Sequence, residues 1–283
     1  MRAVQIIFSP TGGTQKVADI LTEGWKMPME RIDLSDPKAD EEGGKAVFQR
    51  EDVALIAVPS YGGRVPTLAS QRLAKIRGGQ ARCVLVCVYG NRAYEDTLVE
   101  LEDIAAGCGF QVIGAVAAVA EHSIMHQYAT GRPDGADVES LRGFGEKIWE
   151  KLACSEDRGT VDGGEALEDR RPLYVAKAAG PMGSAGALRI PGSRPYKKLG
   201  VAKLVPKAGR QCEQCGLCAE VCPARAIDPA DVKKADQEKC ISCMRCVARC
   251  PKGARKVNET LVAAVAVAIK KACSVRKENE LYL

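Results

Sequence analysis

Histidine is almost missing from this chain, aromatic residues make up only 5% of it, and no apolar run approaches membrane length. The two histidines, His122 and His126, sit in one short stretch far from the clustered cysteines, so nothing there suggests a histidine-ligated iron–sulfur centre. The longest apolar run near the carboxyl end, Leu261 to Ile269, has nine residues. That is about half of a membrane span, and it reads as a helix packed on the rest of the protein. The amino terminus, MRAVQIIFSPTGG, lacks the architecture of a signal peptide, so a cytoplasmic protein is expected. Two nucleotide fingerprints are also missing. The loop SPTGGT has no lysine where G-x-x-x-x-G-K-[ST] requires one. Its one glycine pair falls short of G-x-G-x-x-G. Direct reduction by a nicotinamide cofactor is therefore not expected, and any electron donor would be another protein.

The chain has 283 residues, 46% of them apolar and 27% charged. That is enough for a real core and long enough for two domains. In the first 150 residues, apolar β-branched runs (Ala3–Phe8, Val53–Val58, Cys83–Tyr89, Val112–Val119, and a weaker one at MERIDL) alternate with helix-period segments. Those segments are Gln15–Trp25, Thr67–Ile76, Tyr94–Cys108 and Val138–Leu152. Near-continuous apolar strands alternating with helices predict an α/β fold, a doubly wound parallel sheet of five strands in the order 2-1-3-4-5. Its ligand would lie outside the carboxyl ends of the strands. The texture changes over residues 154–209, which are rich in Gly and Pro and read as a connector packed across two domains. Residues 210–256 form the second domain, and a helix from about Glu259 to Cys273 opens a carboxyl-terminal segment, 257–283.

SPTGGT follows the first strand. Backbone N–H groups at a helix start, with the hydroxyls of Ser9, Thr11 and Thr14, suit a single phosphate monoester held without a metal. The simpler alternative is a glycine turn with Thr14 as a helix N-cap. Two further glycine turns carry a tyrosine at the same edge of the sheet: PSYGGRVP (Pro59 to Pro66) and YGNRAYED (Tyr89 to Asp96). This arrangement over residues 1–152 resembles flavodoxins. The resemblance implies FMN, with Ser9, Thr11, Gly12, Gly13 and Thr14 on its phosphate. Ser60, Tyr61, Gly62, Gly63, Tyr89, Gly90, Asn91 and Arg92 would lie around its ring. Arg64 and Arg92 depart from the acidic surround of shuttle flavodoxins. If they face the ring they favour the reduced anion, and their replacement by Gln would lower the flavin potential; the alternative is that they pair with acids or face solvent.

Eight of the thirteen cysteines lie within Cys212–Cys250; Cys83, Cys87, Cys108, Cys154 and Cys273 are scattered. Clustered cysteines in a chain without an export signal read as metal ligands, whereas Cys83 and Cys87, inside a strand, read as buried thiols. C-x2-C-x2-C-x3-C-P occurs twice, 28 residues apart. The short spacing lets three thiolates converge on one cubane, while the fourth leaves through a proline turn to reach the other. The expected sets are Cys212, Cys215, Cys218 with Cys250, and Cys240, Cys243, Cys246 with Cys222. Zinc knuckles would use a different spacing. This module closely resembles bacterial two-cluster ferredoxins, which implies two [4Fe-4S] clusters and a small α+β domain. The charge balance fits: residues 1–150 carry a net −5 and residues 151–283 a net +10. Two oxidised cubanes with their thiolates would remove roughly four positive charges, so no nucleic-acid partner is expected.

Together the halves resemble the family that fuses a flavodoxin-like domain to a two-cluster ferredoxin. The resemblance implies electron transfer between FMN and the clusters, with other redox proteins as partners. A reductase of a small molecule at the flavin, fed through the clusters, is the alternative; a sensor or structural protein is the third reading. His122, just after the last strand, is either a proton donor to a substrate or a hydrogen-bonded structural residue. His122 and His126 could share a metal only if their segment were helical. An open pocket beside His122 would favour the reductase, and a ring edge on a flat surface the carrier.

Overall fold

The computed structural model describes residues 2–42, 46–154, 188–200 and 203–283. Most of the proposed connector, residues 155–187 and 201–202, therefore lies outside the described residues, as does the side chain of Cys154.

The first strand, β1 (Ala3–Ile7), is buried along its whole length and leads into α1 (Gly13–Thr22). Then come β2 (Met29–Asp33), the short α2 (Ala39–Glu42), β3 (Val53–Pro59), α3 (Thr67–Leu73), β4 (Arg82–Tyr89), α4 (Thr97–Gly107), β5 (Gln111–Val119) and α5 (Gly135–Cys154). The strands pair in parallel in the order β2-β1-β3-β4-β5. This is the doubly wound, flavodoxin-like order read from the alternation of runs.

The apolar runs are near-continuous because both faces of the sheet are covered. On β3, Ala54, Ile56 and Val58 face one core with Phe8, Leu73, Leu85 and Phe110. Val53, Leu55 and Ala57 face the other, with Val17, Leu21, Leu141 and Ile148 of α1 and α5. Cys83 and Cys87 are fully buried in β4, as expected of packed thiols.

The cysteine-rich part is built from short pieces: β6 (Lys207–Ala208), α6 (Leu217–Glu220), α7 (Arg245–Ala248) and β7 (Arg255–Lys256). It has its own small core of Cys218, Cys222, Ala226, Ile227, Val232 and Cys246. The expected carboxyl-terminal helix is present as α8 (Glu259–Cys273), with the Asn258 side chain accepting from the Leu261 N–H at its start. After it, β8 (Glu280–Tyr282) returns to pair antiparallel with β5, giving the sheet a sixth strand that local patterning did not announce. Among the described residues no helix is long and apolar enough to cross a membrane.

Residues 188–200 lie along α4. The Ser193 and Lys197 N–H groups both donate to the Asp96 carboxylate (2.9 and 2.7 Å), and Arg194 bonds Asp103. Leu204 N then donates to Ser242 Oγ of the cysteine module (3.1 Å). The cysteine module is also tied to the sheet domain directly. Arg72 of α3, fully buried, donates to the carbonyl oxygens of Leu34, Asp36 and Pro223 while pairing with Asp40.

Candidate functional site

The loops that follow β1, β3, β4 and β5 open together at the carboxyl edge of the sheet, where crossovers leave a crevice. They enclose a cleft of about 800 Å³. Ser9, Thr11, Gly13, Thr14, Ser60, Tyr61, Gly62, Tyr89, Gly90, Arg92 and His122 line it. Its other walls come from elements that sequence reasoning did not connect to it: Val265 and Ile269 of α8, and Cys240, Ile241 and Ser242 of the cysteine module. Gly12, Gly63 and Asn91, also in the expected set, are not among the lining residues.

The first loop starts a helix without a conventional cap. Gly12 stands as N-cap with φ +94°, a conformation that favours glycine. The N-cap alternative for Thr14 does not hold, since Thr14 is already inside the helix and Ser9 Oγ instead accepts from the Gln15 N–H (2.9 Å). No acceptor among the described residues meets the N–H groups of Gly13 and Thr14. These are two of the donors a helix start leaves over. Ser9 is itself fixed, its N–H donating to Ser35 Oγ (3.0 Å).

In the second loop Tyr61 and Arg64 exchange backbone hydrogen bonds across Gly62 and Gly63, at φ +61° and +85°. A Cβ on Gly63 would fall 1.8 Å from Glu95 Oε2, so the second and third loops pack together only because that position is bare. The Ser60 and Thr97 hydroxyls share a 2.7 Å hydrogen bond. Burial, followed by the nearby Cys243 and Cys240, pushes the Tyr61 phenol well above its usual range. This is one sign of how near the tyrosine lies to the cysteine module.

The expected cationic surround needs correction. Arg64 is not at the cleft: it forks onto Glu100 (2.7 and 2.7 Å), donates to the Lys197 carbonyl and stacks on Tyr196. Arg92 does line the cleft but is forked onto Glu95 (3.1 and 2.8 Å). Burial raises the Glu95 carboxyl, but Arg92 and Lys197 outweigh it and hold it below the usual range. The Asn91 side chain is likewise engaged elsewhere. Its Nδ2 donates to the carbonyls of Cys273 and Val275 (3.0 and 2.9 Å), and its Oδ1 accepts from the Lys277 N–H (2.9 Å). It clasps the carboxyl-terminal segment.

His122 lines the cleft in a non-helical stretch, and Nδ1 accepts from the Ile124 and Met125 N–H groups (both 3.2 Å). That arrangement leaves the ring proton on Nε2. Burial first, then His126, lowers the His122 pKa to about 4, so the ring is neutral near pH 7. His126 Nδ1 lies 2.7 Å from Glu121 Oε1, and the segment is not helical, so the condition for a metal shared by His122 and His126 is not met.

The eight clustered cysteines fall into two sets. Cys222, Cys240, Cys243 and Cys246 line one small void, and Cys212, Cys215, Cys218 and Cys250 line another. Among the described residues no three His, Cys, Asp or Glu side chains close on a single-ion site; a cubane, with its irons at separate corners, takes a wider spread of thiolates. Burial pushes the free Cys243 and Cys246 thiols up, to about 12 and 11. Occupation by a metal centre would therefore release protons. Cys215 is exposed, whereas Cys222, Cys243 and Cys246 are buried. The set of Cys222, Cys240, Cys243 and Cys246 borders the cleft through Cys240.

Residues 211–254 match the family model described as the 4Fe-4S dicluster domain. Among curated proteins no relative matches the chain. Solved structures similar to it include the flavodoxin of Streptococcus pneumoniae, 18% identical with a TM-score of 0.38, covering 53% of this chain and 99% of that one. The two-electron reduced flavodoxin of Megasphaera elsdenii is 16% identical, TM-score 0.35, over 51% of this chain and 98% of that one. Rubredoxin oxygen:oxidoreductase from Desulfovibrio gigas is 15% identical, TM-score 0.40, over 56% of this chain and 37% of that one. By its strand order and its matched module, the chain is a flavodoxin-like fold joined to a 4Fe-4S dicluster domain. That combination is consistent with a general redox role.

Proposed function

We propose that this chain carries FMN in the cleft and two [4Fe-4S] clusters in the cysteine module, and passes electrons between them to link one- and two-electron redox partner proteins. The observation that carries this reading is the shared wall of the cleft. Ser9, Tyr61 and Tyr89 line it from one side, and Cys240, Ile241 and Ser242 from the other. The proposed division is a flavin domain over residues 1–153, a connector over 154–209, a cluster domain over 210–256 and a carboxyl-terminal helix and strand.

The residues fit both groups. Unpaired N–H groups on Gly13 and Thr14, a left-handed Gly12, and the hydroxyls of Ser9, Thr11 and Thr14 are donors for a dianionic phosphate. Tyr61, on the wall of the cleft, offers an aromatic face for the ring, whereas the Tyr89 ring packs in the core against Tyr94. Two voids, each lined by four thiols, fit two cubanes. The only buried side-chain nitrogens without a partner among the described residues are Nε of Arg245 and Nε of Arg255, both in that module. When bound, FMN would exchange two electrons and each cluster one, the chemistry belonging to the cofactors. The protein's own part is to orient them, to exclude water from the inner thiols, and to keep Arg92 neutralised by Glu95 beside the cleft.

An anaerobic spectroelectrochemical titration of the reconstituted full chain tests this. The expected result is one FMN and two cubanes per chain, with flavin steps overlapping the cluster potentials. Failure to take up either group overturns the reading. A second reading, an FMN-dependent reductase of a small molecule, is favoured by the size of the cleft, near the top of the range of about 300–1,000 Å³ for small-molecule sites, and by neutral His122 on its wall. A flavin that takes both electrons in one step, well above the clusters, would select it.

A further inference from the structure

The two cysteine repeats superimpose by a shift of 28 residues, and the shift pairs Ile227 with Arg255. Both are buried, at 4% and 1% exposure. One half of a pseudo-symmetric module thus carries an aliphatic side chain where the other carries a sealed guanidinium. Buried charges in proteins are paired, because an unpaired one loses its hydration without return. Buried Arg72 has Asp40, and buried Arg132 has Asp137. Arg255 has no carboxylate partner among the described residues. Its Nη1 donates to the Val232 carbonyl (2.6 Å) and lies 3.6 Å from Cys218 Sγ, and its Nη2 donates to the Pro206 carbonyl (3.0 Å). Its Nε has no acceptor. Arg255 lines the void of Cys212, Cys215, Cys218 and Cys250, and is not among the residues lining the void of the other set.

We infer that Arg255 is a positioning residue of the Cys212, Cys215, Cys218 and Cys250 set, and that the anion its charge is built to face is the iron–sulfur centre of that set. The inference rests on the two-cluster reading above. A fixed positive charge in a poorly hydrated interior favours whichever state of a neighbouring centre holds the extra electron. Hydrogen bonds to sulfur act in the same direction. Because the guanidinium lies 3.6 Å from Cys218 Sγ and lines that set's void, it raises the reduction potential of that centre more than that of the other.

The test is a potentiometric titration of the reconstituted full chain, followed by electron paramagnetic resonance, with a dye-mediated reductant supplying one electron per centre. Iron content is measured in parallel. R255M removes the charge, and R255K keeps it. In R255M the reduction equilibrium of one centre is expected to fall at least tenfold, about 59 mV for a one-electron couple, with the other moving less, while R255K stays near the parent. Two unshifted centres in R255M, or equal shifts of both, overturn the inference. If R255M takes up no iron and R255K does, the charge itself is what the thiolate set requires and the inference stands. If R255K also fails to assemble, Arg255 is a packing element and the inference falls. A parent chain without iron–sulfur signals overturns the cluster reading instead.

Discussion

Several side chains around the cleft already have partners, and those partners decide their chemistry. Arg92 and Glu95 neutralise each other, and the Ser60 hydroxyl is shared with Thr97. His122 uses Nδ1 on two backbone N–H groups, so its low pKa reflects a ring held neutral in the fold. In the unfolded chain that ring takes up its proton near pH 6.5, but in the folded chain only near pH 4. Its contribution to stability is therefore full above pH 6.5 and is lost as pH falls toward 4. Urea melts of the apoprotein across this window should show H122Q losing less stability on acidification than the parent. Equal slopes would mean that His122 is charged in the fold. The presence of Arg64 and Arg92 in two loops was plain from the sequence, but their direction was not. A guanidinium turns toward whichever carboxylate the fold delivers, and Glu100 lies 36 residues from Arg64.

At the scale of elements, the long strands and helices follow from periodicity, and the exceptions are short. The cluster domain is made of two- and four-residue pieces that sequence patterning places only through its cysteines. Three-residue β8 offers no period to read, yet it covers the β5 edge that would otherwise be open for pairing. Asn91 holds the turn that brings it there. N91A leaves two carbonyls and the Lys277 N–H without their partner, at a cost of about 1–3 kcal/mol each where no water enters. Hydrogen exchange should report faster exchange at Lys277 and through residues 280–282, with FMN affinity little changed. A large loss of FMN affinity without loosening of the tail would return Asn91 to the flavin set.

On the scale of the whole molecule, arginines join the two halves: Arg225 reaches the Pro37 carbonyl, Arg245 lies near Asp33, and Arg72 is the buried one. Arg72 NH donors reach carbonyls on the sheet side, Leu34 and Asp36, and on the cysteine side, Pro223, next to Cys222. Arg72, and next Lys75, hold the Asp40 carboxyl down to about 2. R72M removes donors to three carbonyls, whereas half-exposed Asp40 can return to water. A loss of roughly 2 kcal/mol is expected, read by urea denaturation. Exchange protection around Cys222 should fall before that of the central strands. Unchanged protection there would mean that the cysteine module is held by other contacts.

What the sequence alone determined is local. Cysteine spacing defines two groups of four, apolar runs define five parallel strands, and glycine turns after successive strands mark the edge where a ligand would sit. Each of these depends on residues within a few positions of one another, where spacing and steric preference are decisive. Only the tertiary structure decided which cysteine set borders the cleft, why Asn91 and Arg64 turn away from it, that β8 closes the sheet, and that Arg255 is sealed without a carboxylate. These are pairings across tens to hundreds of residues. They arise when the sheet and the module bring distant groups into one dry interior, where each buried polar group must take the partner within reach.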